Sequence, residues 1–150
     1  MDTTQYTTST DTKPSSAELS RLFSQTGWAA GRQGGDIEIM LANTQVFVAV
    51  RKAGTLVGFG RALSDGVYRA LVDDIVVDES CRGQGLGAHI MESLMRQLSG
   101  IEEVFLNTGP NLEHFYARFG FAGFGGLTMK AEFGSTHHSH LQSKRSRAHR

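Results

Sequence analysis

Asp74-Ile75-Val76-Val77-Asp78-Glu79-Ser80-Cys81-Arg82-Gly83-Gln84-Gly85-Leu86-Gly87 is the stretch on which the reading of this 150-residue chain turns. It leaves an apolar, β-rich run, Val67 to Val77, and passes through three glycines into a helical pattern. Ile90, Met91, Leu94, Met95 and Leu98 recur at the spacing that lays one apolar stripe along a helix, and Gly100 ends it. A strand, a glycine loop and a helix start in this order suit an anion. The first N–H groups of a helix lack intrahelical acceptors, and the aligned peptide dipoles add positive charge there. Glycines let a phosphate approach where a Cβ would block it. Arg82 can contribute charge-assisted hydrogen bonds to the same oxygens.

Three other readings of the loop compete. A Walker loop needs Gly-Lys-Ser/Thr, which is absent. A dinucleotide loop can be laid from Gly83 to Ala88 with Glu102 or Glu103 as its distant acid. That motif needs a βαβ unit, however, and the preceding elements read as a meander. The glycines could also serve only close packing of helix on strand.

Working outward, residues 1–13 are mostly polar and read either as an unstructured terminus or as a short first strand around Tyr6, Thr7 and Thr8. Ser15 and Glu18 fit a capping box, followed by Leu19, Leu22 and Phe23 on one helical stripe. Gly27 is expected to end that helix in a left-handed conformation. Gly34-Gly35 breaks the chain, and Asp36 is expected to cap a second helix carrying Ile37, Met40 and Leu41. Val46–Val50 and Thr55–Leu63 read as a hairpin turning at Lys52-Ala53-Gly54, and Ser64-Asp65-Gly66 turns into the third strand. Beyond Gly100 come a strand from Glu103 to Asn107, a helix from Asn111 to Phe119 stopped by Gly120, and a β-like run from Phe121 to Lys130 broken by Gly123, Gly125 and Gly126. The element order predicts an α+β (mixed α/β) fold.

The composition narrows the classes. Fifteen cations balance fifteen acids, so neither a uniformly basic nucleic-acid binder nor an acidic disordered chain is indicated. No apolar run is long enough to span a bilayer, residues 1–16 carry no secretory h-region, and Cys81, the one cysteine, has no disulfide partner. A cytoplasmic location is expected. Residues 135–150 hold Lys144, Arg145, Arg147, Arg150 and four of the six histidines but no acid, leaving residues 1–134 with a formal charge of −4. We therefore expect one domain over 1–134 and a basic, His-containing tail over 135–150. No fixed geometry supports a metal at His137, His138 and His140.

The segment from Asp74 to Gly87 with its amphipathic helix resembles the acyl-CoA-binding motif of the GNAT N-acetyltransferases, Gln/Arg-x-x-Gly-x-Gly/Ala after a strand. His114-Phe115-Tyr116-Ala117-Arg118-Phe119-Gly120-Phe121, about 30 residues on, is similar to the family's Phe-Tyr-x-x-x-Gly-Phe segment. The resemblance runs from residue 15 to about 131. It implies a central, mostly antiparallel twisted sheet with splayed fourth and fifth strands, flanked by about four helices. It also implies acetyl-CoA as co-substrate, with the backbone of Ile75, Val76 and Val77 along the pantetheine and one N–H on the thioester carbonyl. The pyrophosphate would lie on Arg82, Gly83, Gln84, Gly85, Leu86 and Gly87.

The same resemblance puts Tyr116 where a general acid protonates the departing thiolate, a role the chemistry of a phenol allows. Asp73 and Asp74 are candidate general bases, on opposite faces if the strand alternates regularly. Asp74 is preferred, because Leu56 to Asp65 is similar to plant and cyanobacterial arylalkylamine acetyltransferases, which carry Asp at that place. The family often has Asn seven positions before the Tyr. Gly109 stands there, so Asn107 and Asn111 are carried as CoA contacts. Trp28, Phe59, Tyr68 and Phe124 are candidate walls for the acceptor. The expected reaction moves acetyl to a small cationic amine, favoured by the acidic body. A protein lysine or N-terminus is the rival acceptor, and a non-catalytic acyl-CoA sensor the rival class. Expected partners are acetyl-CoA and an amine, with a homodimer allowed and neither nucleic acid nor membrane.

Overall fold

Ser15 opens the first helix as its sequence demands. Its Oγ accepts a hydrogen bond from the Glu18 N–H at 3.1 Å, and the Glu18 carboxylate accepts one from the Ser15 N–H at 2.8 Å, so two orphan donors are satisfied reciprocally. Helix α1 (Ser16–Phe23) then buries Leu19, Leu22 and Phe23, each worth about 1.5–3 kcal/mol of transfer free energy. The computed structural model in which this is seen describes residues 3–133. The expected tail of 135–150, with His137, His138 and His140, lies outside the described residues.

Two expected caps differ. Helix α1 closes at a right-handed Ser24, whose N–H still reaches the Ser20 carbonyl at 2.9 Å, and Gly27 is not left-handed. Helix α2 (Gly34–Ala42) is preceded by Gln33 at its cap. Asp36 sits inside the first turn, where its charge faces the positive end of the helix instead of capping it.

The strands are β1 (Tyr6–Ser9), β2 (Val46–Lys52), β3 (Thr55–Ser64), β4 (Arg69–Val77) and β5 (Glu103–Phe105). They form one sheet in the order β1-β2-β3-β4-β5, antiparallel except for the parallel β4–β5 pair. The residues around Tyr6 thus form a strand. The Tyr6 hydroxyl donates to Gln84 Oε1 at 2.9 Å, and Thr8 Oγ1 meets His89 Nε2 at 2.7 Å, tying β1 to the glycine loop and to the helix that follows it. Between β2 and β3, Ala53 and Gly54 both have positive φ, the handedness a two-residue hairpin needs.

Helices α1 and α2 cover one face of the sheet, over Phe47, Ala49, Phe59 and Val76. Helix α3 (Leu86–Gln97) covers the other, over Val48, Val50, Ala62 and Val72. Gly60 of β3 lets α3 lie close, since a Cβ there would meet Ile90 Cγ2 at 2.6 Å and Ile75 Cδ1 at 2.7 Å. Helix α4 (Glu113–Ala117) follows a 3-10 turn at Pro110–Leu112, and Gly120 ends the region with positive φ.

Two features of β4 shape the site. The register with β3 shifts from Phe59↔Val76 to Arg61↔Asp73, so Asp74 and Ile75 together oppose Gly60, and Asp74 has φ +55°. This is a β-bulge. Ala70 and Val72 before it, and Ile75 and Val77 after it, belong to the α3 side. Asp73 and Asp74 therefore share the α1 face, which corrects the expectation of opposite faces. In addition, the pairing with β5 ends at Leu71↔Phe105 while β4 runs on to Val77, so the two strands splay and the last part of that β4 edge has no strand beside it among the described residues.

The expected strand over Phe121–Lys130 does not form. Residues 121–133 carry no regular secondary structure. Gly123, Gly125 and Gly126 weaken a strand through entropy and missing side chains, and the Phe124 ring instead meets the Phe105 ring edge-on at 5.8 Å.

Candidate active site

The splay of β4 from β5 opens onto the glycine loop. A groove of about 530 Å³ runs between the end of β4 and the start of α3, lined by Ile75, Val77, Arg82, Gly85, Gly87 and Tyr116 among others. Gly83 and Gly85 both have positive φ, and Gly85 is the left-handed cap of α3. L side chains rarely adopt that conformation, so the loop needs glycine there. Asp78 anchors the turn before it. Its carboxylate accepts from the Ser80 N–H at 3.0 Å, Ser80 Oγ at 2.7 Å, Arg21 at 3.0 Å and Gln25 Nε2 at 3.1 Å. Arg82 is folded back, its Nε donating to the Val77 carbonyl at 3.1 Å. Arg118 is a second cation on the groove, stacked at 5.7 Å from the ring centres of both Phe115 and Phe119. The sequence reading did not single it out.

A second cleft, of about 310 Å³, lies on the other side of β4's splayed end, lined by Trp28, Asp73, Asp74, Asn107, Gly109 and Tyr116 among others. Ile75, Leu112 and Tyr116 line both spaces. Tyr116 is set at this boundary by α4, its ring edge-on to Phe115 at 5.0 Å and to Phe121 at 6.3 Å. Burial pushes its phenol above the ordinary value of 10.0, so it carries its proton throughout the neutral range.

The two aspartates meet one arginine. Arg61 Nε donates to Asp74 Oδ2 at 2.6 Å, and its NH2 lies 3.7 Å from Asp73 Oδ2. Asp74's side chain is fully buried, whereas that of Asp73 is 46% exposed. Asp73 Oδ1 also accepts the Asp74 N–H at 2.9 Å, which steadies the bulge. Arg32 NH1 approaches Asp74 Oδ1 to 2.9 Å, yet that oxygen has no aligned hydrogen-bond donor. A carboxylate buried in an apolar strand requires a cation; Arg61 supplies it to Asp74, while Arg69 pairs with Glu102 and Glu103 at 3.5 and 3.2 Å. Arg32 sits in a loop with no periodic signal and was missed.

The remaining expected residues divide. Leu86 and Gly87 line the groove with Ile75 and Val77, whereas Val76 packs into the α1–α2 core and does not line it. Gln84 is held by Tyr6. Asn107 lies in the cleft with the aspartates and not in the groove, and Asn111 lines neither space. Of the four aromatic walls, Trp28 lines the cleft, and Phe124 lines a further cavity of about 440 Å³ beside Phe105 and Tyr116. Phe59 is core, and Tyr68 is exposed outside both spaces. Cys81 is buried. No metal-ligating cluster of three or more His, Cys, Asp or Glu occurs among the described residues, and no described helix is long and apolar enough to cross a membrane.

A mixed sheet with a bulged, splayed fourth strand and a glycine-capped helix defines a fold class that known proteins share. An acetyltransferase structure of the GNAT family from Xanthomonas campestris superposes with a TM-score of 0.75 at 25% identity, covering 85% of this chain and 93% of that one. Glucosamine-6-phosphate N-acetyltransferase of Arabidopsis thaliana has the same fold, with a TM-score of 0.69 at 16% identity over 86% of this chain and 99% of the other. In sequence, residues 42–122 match the acetyltransferase (GNAT) domain. The chain belongs to the GNAT acetyltransferase family. It is 43% identical over 76 residues to the chloroplastic serotonin N-acetyltransferase 2 of Oryza sativa subsp. japonica, covering 49% of this chain and 38% of the relative. It is 35% identical over 108 residues to the chloroplastic GCN5-related N-acetyltransferase 1 of Arabidopsis thaliana, covering 69% of this chain and 54% of the relative. The chain thus spans about half the length of these two relatives or less.

Proposed function

We propose that this domain transfers an acetyl group from acetyl-CoA to a primary amine by direct attack in a ternary complex. The observation that carries this reading is that Tyr116 lines both the glycine-loop groove and the aspartate cleft. The groove suits the donor. Strand β4 offers backbone groups from Asp73 to Val77 beyond its last pair with β5. Loop 82–87 offers helix-start N–H groups, and Arg82 and Arg118 offer charge for a pyrophosphate. The cleft suits the acceptor, with Trp28 as an apolar wall and Asp74 Oδ1 as an oxygen not yet claimed by an aligned donor.

In this mechanism the amine enters as an ammonium and gives one proton to Asp74 Oδ1, directly or through water, with Asp73 beside it. The freed nitrogen attacks the thioester carbonyl. The C–S bond breaks, and Tyr116 Oη protonates the departing sulfur. The nitrogen loses its second proton as the amide forms, which balances the one Tyr116 gave. The acidic balance of residues 1–134, a formal charge of −4, favours a cationic acceptor over an acidic one.

The test is thiol release from acetyl-CoA against a panel of small amines, lysine peptides and N-terminal peptides, with a calorimetric titration of coenzyme A alongside. Release with small amines is the expected result. Release with peptides alone moves the acceptor to protein. Coenzyme A binding without release marks a sensor, and failure to bind it removes the proposal.

A further inference from the structure

Asp74 has two oxygens with different surroundings. Oδ2 takes the Arg61 Nε hydrogen bond at 2.6 Å, whereas Oδ1 has Arg32 NH1 2.9 Å away without alignment. A buried carboxylate oxygen in that position forgoes much of a charge-assisted bond, so the Arg32 contact is the weak side of the cluster. Arg32 comes from the loop between α1 and α2. Its guanidinium lies 4.9 Å from the Phe23 ring centre and 5.6 Å from that of Trp28, and NH1 is 3.8 Å from Met40 Sδ. Its side chain is 34% exposed, so it has a path to solvent.

Two aromatic faces and a carboxylate make a box that holds an organic cation. Trp28, one wall of that box, also lines the cleft next to Tyr116. The charges close as well: Arg32 and Arg61 balance Asp73 and Asp74. In a buried cluster one cation can leave without penalty only if another arrives. A primary ammonium with an apolar body matches Arg32 in charge, in ring contact and in its reach to Oδ1.

We infer that Arg32 is an internal stand-in for the acceptor's ammonium, and that the amine binds by displacing it from Asp74 Oδ1 and the Trp28 face. This rests on the acetyl-transfer reading and specifies its acceptor: a monocation with an aromatic or aliphatic body. Arg32 is then a specificity-determining residue that sets the amine's KM from the competing side.

Trp28 is the only tryptophan in the chain, so its fluorescence reports the box directly, whatever the turnover. The experiment titrates 2-phenylethylammonium and its neutral match, 2-phenylethanol, into wild type, Arg32→Gln and Arg32→Lys at saturating coenzyme A. In Arg32→Gln the ammonium should bind about three- to thirty-fold tighter, the worth of a cation–π contact plus a weak ion pair. Arg32→Lys should stay near wild type, and the alcohol should show no comparable gain. KM for an acetylated amine should fall by the same factor. Should Arg32→Gln unfold, Arg32→Met keeps the packing on Phe23 and carries the same expectation. Ammonium binding that is unchanged or weaker without Arg32 overturns the inference, as does an equal gain for the alcohol, which would mean only added room. If none of these proteins acetylates any amine, the transfer reading fails while the fluorescence series still decides the role of Arg32.

Discussion

Replacing Asp74 by Asn removes one charge and almost no volume from the middle of the buried cluster. The backbone tolerates the change, because Asn is among the few residues comfortable at the φ of +55° found there. What is lost is the compensation of Arg61, whose side chain is only 10% exposed. Removing one partner of a buried pair costs about 3–5 kcal/mol. Here the cost falls at or somewhat below the lower end, since Asp73 stays 3.7 Å from Arg61 and Arg32 is partly hydrated. We expect a loss of about 2–3 kcal/mol, or about 5–10 °C in Tm for a domain of this size. Urea unfolding at neutral pH measures it, with the m value unchanged because the surface exposed on unfolding is the same. Adding Arg61→Met should recover part of the loss, as expected for two residues in one network. A loss below about 0.5 kcal/mol, the range of an ordinary surface change, would refute the claim that this carboxylate is a buried counter-ion.

Other outcomes follow from the same geometry. Tyr116→Phe should lower kcat by about a hundred- to ten-thousand-fold in thiol-release assays while coenzyme A still binds. In wild type the raised phenol should move any alkaline fall in kcat that it governs to higher pH than an ordinary tyrosine would give. Gly60→Ala should cost about 1–3 kcal/mol by chemical denaturation, because its Cβ would press on Ile90 and Ile75. At Asp78, burial alone would raise the carboxyl, but hydrogen bonds from Ser80, Gln25 and Arg21 outweigh it and hold the group well below its ordinary 3.8. A depressed folded value stabilises fully above that ordinary value and is lost as the pH falls below it. Acidification from about pH 5 to about pH 2 should therefore destabilise wild type more than Asp78→Asn in parallel melts.

Local signals carried most of the framework. The Ser15–Glu18 box, the hairpin turn at Ala53-Gly54 and the α3 stripe are each decided by residues a few positions apart, so they can be read from one sequence. The glycine loop was legible for the same reason. The bulge was not, because it is a property of two paired strands. Nothing in Asp73-Asp74 alone says that Gly60 will face two residues, and the predicted side of both aspartates depended on it. Arg32 was invisible because it meets Asp74 across 42 positions of chain from a loop with no periodicity. The run from Phe121 to Lys130 had strand-forming side chains, but strand formation needs a partner in register, and its glycines lower the incentive.

Tyr116 lines both the glycine-loop groove and the aspartate cleft, and the proposed transfer takes place between them. The most direct test quantifies coenzyme A thiol and N-acetylated amine together, with the purified chain, acetyl-CoA and a small primary amine. Direct transfer in a ternary complex predicts one acetylated amine for each thiol, with no acetyl group left on the protein. Coenzyme A that binds but is never released above the uncatalysed rate would contradict it, and so would thiol release that leaves the amine unmodified.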